Sequence, residues 1–463
     1  YQATNAANSN FLGRNAGYGA TNASNSTFIG NNAGQGATDA GNSTFIGNNA
    51  GTTATNADNS NFLGYQAGYL ATAANNSNFL GNQAGYQATN ANSSNFIGVN
   101  TGLGATNAAR SNFIGSSAGE GATNALRSNF SGYQAGYTAT NASYANFLGY
   151  QAGYAAYSAS HSNYSGYQAG YQANGAKSSN FFGYQAGLQA TGASGSSFLG
   201  GHAGWQASAA YQSNFIGSGS GYQATNAANS NFLGRNAGYE ATNASSSNFL
   251  GSGSGFQATN ANNSNFLGMS AGGQATSAYQ SNFFGQNAGN SATLASVSNF
   301  LGYAAGALAV YANNSNFLGY LAGYAATSAS YSTLIGHQAG YVTGSGVLSI
   351  GTNNVIIGTN ITLANNQRDA INIGGIIFAT GSYSTTTGSP KSGSVTGAKV
   401  GIGVANPQYT LEISGSVGIS HILTILEVAT APAGVPAGSI IVSGSAGLPR
   451  PYFYDGVNWT AMF

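Results

Sequence analysis

Small, apolar and polar residues follow one another along this chain in a pattern that repeats with a period of seventeen. Counted from Tyr1, residues 1–340 divide into twenty such units without an insertion or a deletion. Positions 3 and 6 of the unit are always Ala, and positions 13 and 17 are always Gly. Position 11 is Phe except at Tyr164 and Leu334, and position 9 is Ser except at Ala145. Such constancy predicts equivalent packed units, each of which contacts its neighbours along the chain.

The length and composition of the unit predict an all-β fold, a parallel β-solenoid (β-roll) in which each unit forms one coil. Helical hairpin repeats need more than about thirty residues, and the Gly, Asn, Ser and Thr of each unit disfavour helix. Two or three short strands joined by turns fit into one unit, with Gly13 and Gly17 at a corner. Twenty coils stacked about 4.8 Å apart would give a rod roughly 100 Å long.

The strand pattern predicts which side chains point into the coil. Alternation places positions 9, 11 and 13 on one face and positions 10 and 12 on the other. Position 11 is Phe and position 12 is usually Leu or Ile, so both faces are apolar. One face belongs to the coil interior, and the other would be covered by a second sheet of the same coil or by another chain. We favour other chains and expect a homotrimer. The predicted repeat core includes Ala3, Ala6, Phe11, Gly13, Gly17, Phe28, Phe45 and Phe62.

The period ends after residue 340, and the rest of the chain is predicted to form two further regions. We assign residues 341–398 to a capping and transition region with a linker, because short β-rich phrases give way to Gly, Ser and Thr. Residues 399–463, in which Pro and acidic residues reappear, are assigned to a small β-rich C-terminal tip and trimerisation region. Within the tip, Asp455-Gly456 predicts a hairpin turn.

The composition argues against several classes of function. Only 17 of the 463 residues are charged and the formal net charge is +1, whereas ordinary domains carry about a quarter charged residues. The nine Lys and Arg residues form no basic stripe, which argues against nucleic acid as a partner. No apolar run is long enough for membrane insertion, and the lack of Cys excludes disulfides and thiolate metal sites. These features suit a durable extracellular protein.

The pattern gives no support to catalytic chemistry. His161, His202, His337 and His421 fall at unrelated positions of the repeat, and the acidic residues of the rod lie too far apart to pair. We therefore predict no catalytic residue, no metal site and no cofactor, and we expect that the protein is not an enzyme.

Rows of side chains along the rod offer alternative binding surfaces. Position 1 is Tyr in ten units and position 14 is Tyr in seven, so aromatic ladders could bind glycans or could stabilise the stacked coils. Position 4 is Thr in sixteen units, a row that would suit an ice-binding solenoid. For the Tyr rows we favour stabilisation of the stacked coils.

Parts of the sequence resemble trimeric fibre proteins. The phrase NSTFIGNNAG at residues 25–34 resembles the head repeats of trimeric autotransporter adhesins, which are left-handed parallel β-rolls. KVGIGVANPQYTLEISGSVGI at residues 399–419 is similar to an element of phage tail fibres and bacterial fibre proteins. The unit of this chain is longer than the adhesin repeat, and Phe replaces a small residue. The resemblance implies a homotrimeric fibre that serves in attachment.

The best candidate for target recognition is the tip, where aromatic and polar residues cluster as in binding hot spots. Alternatively, the aromatic side chains fill the core of a small trimeric knob. We expect an extracellular shaft-and-tip protein of a cell-surface appendage or virion fibre, whose partners are copies of itself and a cell-surface glycan or protein receptor. The alternatives are a structural filament that assembles end to end and a rod whose face binds glycans or ice. The candidate receptor-binding residues are Tyr452, Tyr454, Asp455, Asn458 and Trp459.

Overall fold

The chain folds into a parallel β-solenoid, which confirms the predicted fold class. The computed structural model describes residues 3–342, 349–381, 398–417, 440–443, 450–455 and 457–461. Each of the twenty units contributes one three-residue strand at positions 10–12, and the described residues contain no helix.

The strands of the repeat are evenly spaced and pair in parallel. The offset of one full unit is preserved through all nineteen pairings, so each side chain lies beside the residue at the same position of the next unit. The strands are β1 (Asn10–Leu12), β2 (Thr27–Ile29), β3 (Thr44–Ile46), β4 (Asn61–Leu63), β5 (Asn78–Leu80), β6 (Asn95–Ile97), β7 (Asn112–Ile114), β8 (Asn129–Ser131), β9 (Asn146–Leu148), β10 (Asn163–Ser165), β11 (Asn180–Phe182), β12 (Ser197–Leu199), β13 (Asn214–Ile216), β14 (Asn231–Leu233), β15 (Asn248–Leu250), β16 (Asn265–Leu267), β17 (Asn282–Phe284), β18 (Asn299–Leu301), β19 (Asn316–Leu318) and β20 (Thr333–Ile335).

The sheet continues past the last repeat unit. β21 (Val355–Ile357) pairs in parallel with β20, and β22 (Ala370–Ile373) pairs in parallel with β21. The direction then changes, because β23 (Ile377–Thr380) is antiparallel to β22 and to β24 (Lys399–Ile402). β25 (Leu411–Ile413) is parallel to β24. Parallel stacking therefore extends into the region that the sequence assigned to a cap.

A three-stranded antiparallel sheet lies in the C-terminal region. It consists of β26 (Ile440–Ser443), β27 (Arg450–Tyr454) and β28 (Trp459–Ala461). The predicted hairpin joins β27 to β28, and the backbone N–H of Asp455 donates to the carbonyl of Asn458 at 3.2 Å. Most of the predicted linker, residues 382–397, lies outside the described residues.

Each coil has fewer strands than the two or three that the sequence predicted. Besides the strand at positions 10–12, some coils make only an isolated parallel bridge at position 4, such as Thr259 with Thr276. The remaining backbone forms turns whose N–H groups donate to carbonyls of the adjacent coil, as Gly34 does to Ala50 at 2.8 Å. Hydrogen bonding along the rod axis is therefore maintained without regular strands.

Frequent left-handed residues explain why the strands are short. Six positions of the unit have a positive φ, and each turns the chain after at most a few residues. Gly adopts this conformation without strain, and Asn tolerates it better than most residues, which accounts for the abundance of both. In the second unit the six residues are Gly19, Asn22, Asn25, Gly30, Asn32 and Gly34.

The two invariant glycines are required by different close approaches. At position 13, a Cβ on Gly30 would lie 2.4 Å from the carbonyl oxygen of Gly47 in the next coil. At position 17, a Cβ on Gly34 would lie 2.8 Å from a ring carbon of Phe28. The first glycine therefore permits the coils to stack, and the second makes room for the core ring.

The core is a single column of stacked rings surrounded by Ala side chains. Neighbouring position-11 rings from Phe11 to Phe317 have centroids 4.4–5.3 Å apart. Phe28, Phe45 and Phe62 are fully buried, as are nearly all Ala residues at positions 3, 6 and 16. The column belongs to one chain, so a single chain supplies its own core.

Tyr164 is the one tyrosine in the ring column. Its ring stacks between Phe147 and Phe181, but its buried hydroxyl has no hydrogen-bond partner among the described residues. Burial raises the pKa of Tyr164, and the nearby Ser162 hydroxyl offsets this effect only in part. The interior therefore accepts a polar atom here at a cost in stability.

A ladder of buried Ser side chains connects the coils at position 9. The Ser43 hydroxyl donates to the carbonyl of Ala57 at 2.6 Å and accepts from the backbone N–H of Ser60 at 3.1 Å. The same pair of bonds recurs along the rod, for example at Ser77, whose hydroxyl donates to Ala91. These side chains pair backbone groups that would otherwise be buried without partners.

Candidate binding surfaces of the rod and the C-terminal sheet

The outer face of the strands carries two parallel rows of side chains. Position 10 forms an amide ladder, in which Asn248 Nδ2 donates to Asn265 Oδ1 at 2.7 Å. Beside it runs the row at position 12, here called the apolar stripe, which is Leu, Ile or Phe in eighteen of twenty units. In ten units this residue is 36–67% exposed. Within the part of the chain that the structure describes, no second sheet of the same coil covers the stripe.

Part of the outer face is concave. Over units 14–17 it forms a groove of about 390 Å³ between the amide ladder and the apolar stripe. The apolar residues that line the groove are Leu233, Leu250, Leu267 and Phe284. A side chain from another molecule could enter there without displacing any part of this chain.

The Tyr rows form stacked ladders. At position 14, Tyr133, Tyr150, Tyr167 and Tyr184 have ring centroids 5.0–5.2 Å apart and interplanar angles of 5–16°. These residues are 43–51% exposed, but their ring faces are turned toward each other. Sugar rings stack on the faces of aromatic rings, and here only edges and hydroxyls are accessible along the ladder. The geometry therefore favours the stacking role.

The Tyr ladder at position 1 is more deeply buried than the ladder at position 14. Tyr137, Tyr154 and Tyr171 are half-buried and stack with centroids 4.9 Å apart. The nearby carboxylate of Glu120 raises the pKa of Tyr137, with smaller contributions from burial and from Tyr154. Burial likewise raises the pKa of Tyr171. These rings seal a corner of the solenoid.

The Thr row at position 4 does not form a uniform exposed surface. Most of its side chains are half-buried, and the Thr140 hydroxyl is buried without a partner among the described residues. Tyr157, Asn174 and Val310 interrupt the row. An ice-binding face requires a flat, exposed and regular array, which this row does not provide.

The hairpin of the C-terminal sheet brings together four of the five predicted tip residues. The rings of Tyr454 and Trp459 have centroids 5.0 Å apart, and both residues are half-buried. Asp455 Oδ1 accepts from the backbone N–H groups of Asn458 and Val457, each at 2.7 Å, and these bonds lower the pKa of Asp455. Asp455 thus stabilises its own turn.

Tyr452, the fifth predicted tip residue, lies in β27, where its backbone is opposite Ile441 and Ala461. Of the sheet's described side chains, Asn458 is exposed beside the turn. Phe453 and Val457 are exposed as well, so the tip offers aromatic, apolar and amide side chains as a contact surface.

The histidines are dispersed in the structure, as they are in the sequence. His161 stacks on Tyr144, and His337 stacks on Tyr320; His421 lies outside the described residues. Among the residues that the structure describes, no group of three His, Asp or Glu side chains could hold a metal ion. No helix in the same residues is long and apolar enough to span a membrane.

Sequence reasoning missed a second groove, which lies between positions 5 and 7 of units 6–11 and has a volume of about 630 Å³. The pattern that could have indicated it is the concentration of cationic residues at positions 7 and 8 of these units.

Comparison of the chain with protein-family models, curated proteins and solved structures found no match. The assignment of the fold therefore rests on the chain's own geometry, and the likeness of residues 25–34 and 399–419 to fibre proteins remains a resemblance.

Proposed function

We propose that this chain is the shaft and tip of an extracellular fibre that attaches to a surface or host cell, and that three copies form the shaft. The observation that carries the proposal is the apolar stripe, which recurs in eighteen of twenty units and has ten exposed side chains in the described part of the chain. Exposed apolar patches of this extent mark interaction surfaces.

The periodicity of the stripe supports a second copy as the occupant. A partner that contacts every coil must repeat its own side chains at the same spacing of about 4.8 Å, and another copy of this chain does so. If each of eighteen side chains buried ~50 Å², contact would remove roughly 900 Å² per chain from water, which is comparable with the ~800 Å² per partner of stable interfaces.

Closed symmetry and the fibre resemblance support three chains. A rod with one adhesive stripe forms a discrete particle when its copies surround a common axis. In a trimer, the three stripes would face this axis. The very low charge of the chain removes the repulsion that would oppose such association.

The experiment that tests assembly replaces Leu233, Leu250 and Leu267 with Ser, the residue that occupies position 12 in β8 and β10. Because the coils of β8 and β10 accommodate Ser at this position, the triple variant should fold. Sedimentation should then show a weakened association between chains. Leu294→Ser with Leu308→Ser removes two exposed apolar side chains from other positions and should leave the assembly unchanged. Equal sedimentation of both variants and the wild type would refute the stripe interface.

Attachment is tested by deleting residues 399–463 and measuring adhesion to candidate cells. A fibre that binds through its tip loses adhesion, and Trp459→Ala should reproduce part of the loss. Adhesion that survives the deletion would place the contact on the shaft. A change in fibre length alone, without any adhesion to lose, would indicate an end-to-end structural filament.

A further inference from the structure

The groove between positions 5 and 7, here called the shaft groove, spans units 6–11. Its volume is about 630 Å³. Its lining includes Asn90, Asn107, Asn124, Asn141, Leu126 and Lys177.

Cationic residues are concentrated at or next to the lining of this groove. Residues 1–340 contain five Lys and Arg residues, and three of them lie at positions 7 and 8 of units 7–11. Lys177 lines the groove, whereas Arg110 and Arg127 each directly follow a lining residue. All three are exposed. Glu120, the one acidic residue of units 6–11, is at position 1, so the charged residues at positions 5, 7 and 8 of these units are all positive.

The opposite wall of the groove is a preorganised row of amides. Asn90 Nδ2 donates to Asn107 Oδ1 at 2.8 Å, and the bonds continue from Asn107 to Asn124 and from Asn124 to Asn141 at 2.7 and 2.9 Å. Each amide in the middle of the row uses one donor and one acceptor for the ladder. One further N–H and one carbonyl lone pair per amide remain for a ligand.

We propose that the shaft groove binds an acidic oligosaccharide, with Lys177, Arg110 and Arg127 pairing with its carboxylate or sulfate groups. The amides recur about every 4.8 Å along the axis, close to the length of one sugar ring in an extended chain. Successive sugars would therefore meet equivalent hydrogen-bonding groups. The inference rests on the proposed attachment function and names a ligand class for the shaft.

The same residues are poorly suited to a nucleic acid. Proteins that bind single strands stack bases on exposed aromatic faces, but the ring of Tyr144 is stacked by His161 at 4.9 Å and has the Arg127 guanidinium 5.4 Å from its centroid. Three cations also supply little of the phosphate neutralisation that dominates nucleic-acid affinity.

The test is titration calorimetry of the full chain with a heparin-derived hexasaccharide, with neutral maltohexaose and a single-stranded deoxynucleotide hexamer as comparison ligands. The acidic hexasaccharide should bind, and its affinity should fall at least about tenfold as NaCl rises from about 0.05 to 0.5 M, because exposed charge pairs are screened. Maltohexaose should bind far more weakly.

The decisive variant combines Arg110→Asn, Arg127→Asn and Lys177→Asn. Asn occupies positions 7 and 8 in several other units, so these changes should preserve the coil, and the affinity for the acidic hexasaccharide should fall about tenfold or more. The matched control, Arg235→Asn, removes a cation at position 14 and should leave binding unchanged.

Three results would overturn the inference: unchanged affinity in the triple variant, equal binding of maltohexaose, or tighter binding of the deoxynucleotide. The groove is formed within one chain, so failure of the binding proposal can be distinguished from failure of the fibre proposal. A single-chain particle that binds the acidic hexasaccharide would retain the groove and refute the trimer. A trimer that does not bind it would refute the groove alone.

Discussion

The buried Ser ladder gives the most exacting prediction, because each hydroxyl pairs two backbone groups. The Ser60 hydroxyl donates to the carbonyl of Ala74 at 2.6 Å and accepts from the N–H of Ser77 at 3.2 Å. Ser60→Ala leaves both groups buried and unpaired. Since an unsatisfied buried group costs about 1–3 kcal/mol, the variant should lose about 2–5 kcal/mol of local stability.

One coil of the chain naturally lacks the hydroxyl of the Ser ladder. Ala145 replaces Ser in this ladder, and among the described residues the N–H of Ser162 and the carbonyl of Ala159 have no partner. The same two groups are paired by a hydroxyl in neighbouring coils. Ala145→Ser should therefore stabilise these coils, by about 1–3 kcal/mol.

Amide hydrogen exchange read by mass spectrometry is the suitable assay, because coils of a repeat protein can open locally. Exchange should accelerate around Ser60 in Ser60→Ala and slow around residue 145 in Ala145→Ser. Ser245→Ala, which removes a position-7 hydroxyl without a hydrogen bond in the described residues, is the control and should change nothing. Unchanged protection in Ser60→Ala, or faster exchange in Ala145→Ser, would refute the role of the ladder.

Four further substitutions test the core and the turns. Tyr164→Phe removes the unpaired buried hydroxyl and should raise the free energy of unfolding by about 1–3 kcal/mol. Because burial raises the pKa of Tyr164 above its ordinary value of 10.0, the stability of the wild type is retained below about pH 10 and declines above it. Urea titrations at about pH 9 and 11 should show a smaller decline in the variant. Ser220→Ala removes another unpaired buried hydroxyl and should raise the unfolding temperature in thermal scans, whereas Thr101→Ala loses the bond to the carbonyl of Gly115 at 2.7 Å and should lower it. Val297→Asn relieves a β-branched residue at φ 56° and should stabilise by about 1 kcal/mol, measured by exchange in unit 18.

The solenoid could be predicted because the regular period and the constancy of positions 3, 6, 11, 13 and 17 each have one physical cause. Stacked equivalents such as Phe28 and Phe45 face the same interior, so the pattern that repeats is the pattern that packs. Two-residue alternation also identified position 12 as the second apolar face of the strand.

The strand count could not be read from the sequence. Gly and Asn indicated turns, but a positive φ also occurs at residues such as Gln66, Leu70 and Tyr144. These residue types do not favour a positive φ, so the sequence does not indicate a turn there. The backbone reverses at these positions because the stacked coils impose the same path on every unit. Tertiary context therefore overrides local preference and shortens the strands.

The binding surfaces were predictable only in part. Counting Tyr identified two ladders, but ring orientation, which turns the faces of Tyr150 and Tyr167 toward each other, depends on packing between coils. The shaft groove was missed because Arg110 and Lys177 belong to the seventh and the eleventh unit of the sequence and come to lie along one groove only when the coils stack.

The mass of the native particle in solution tests the central claim most directly. Light scattering on the purified full chain, with electron micrographs of the same sample, gives the number of chains and the shape together. The proposed fibre predicts three chains of 46.2 kDa in a thin rod of roughly 100 Å or more. A stable particle with the mass of one chain would contradict it, since the apolar stripe would then face water along the whole rod.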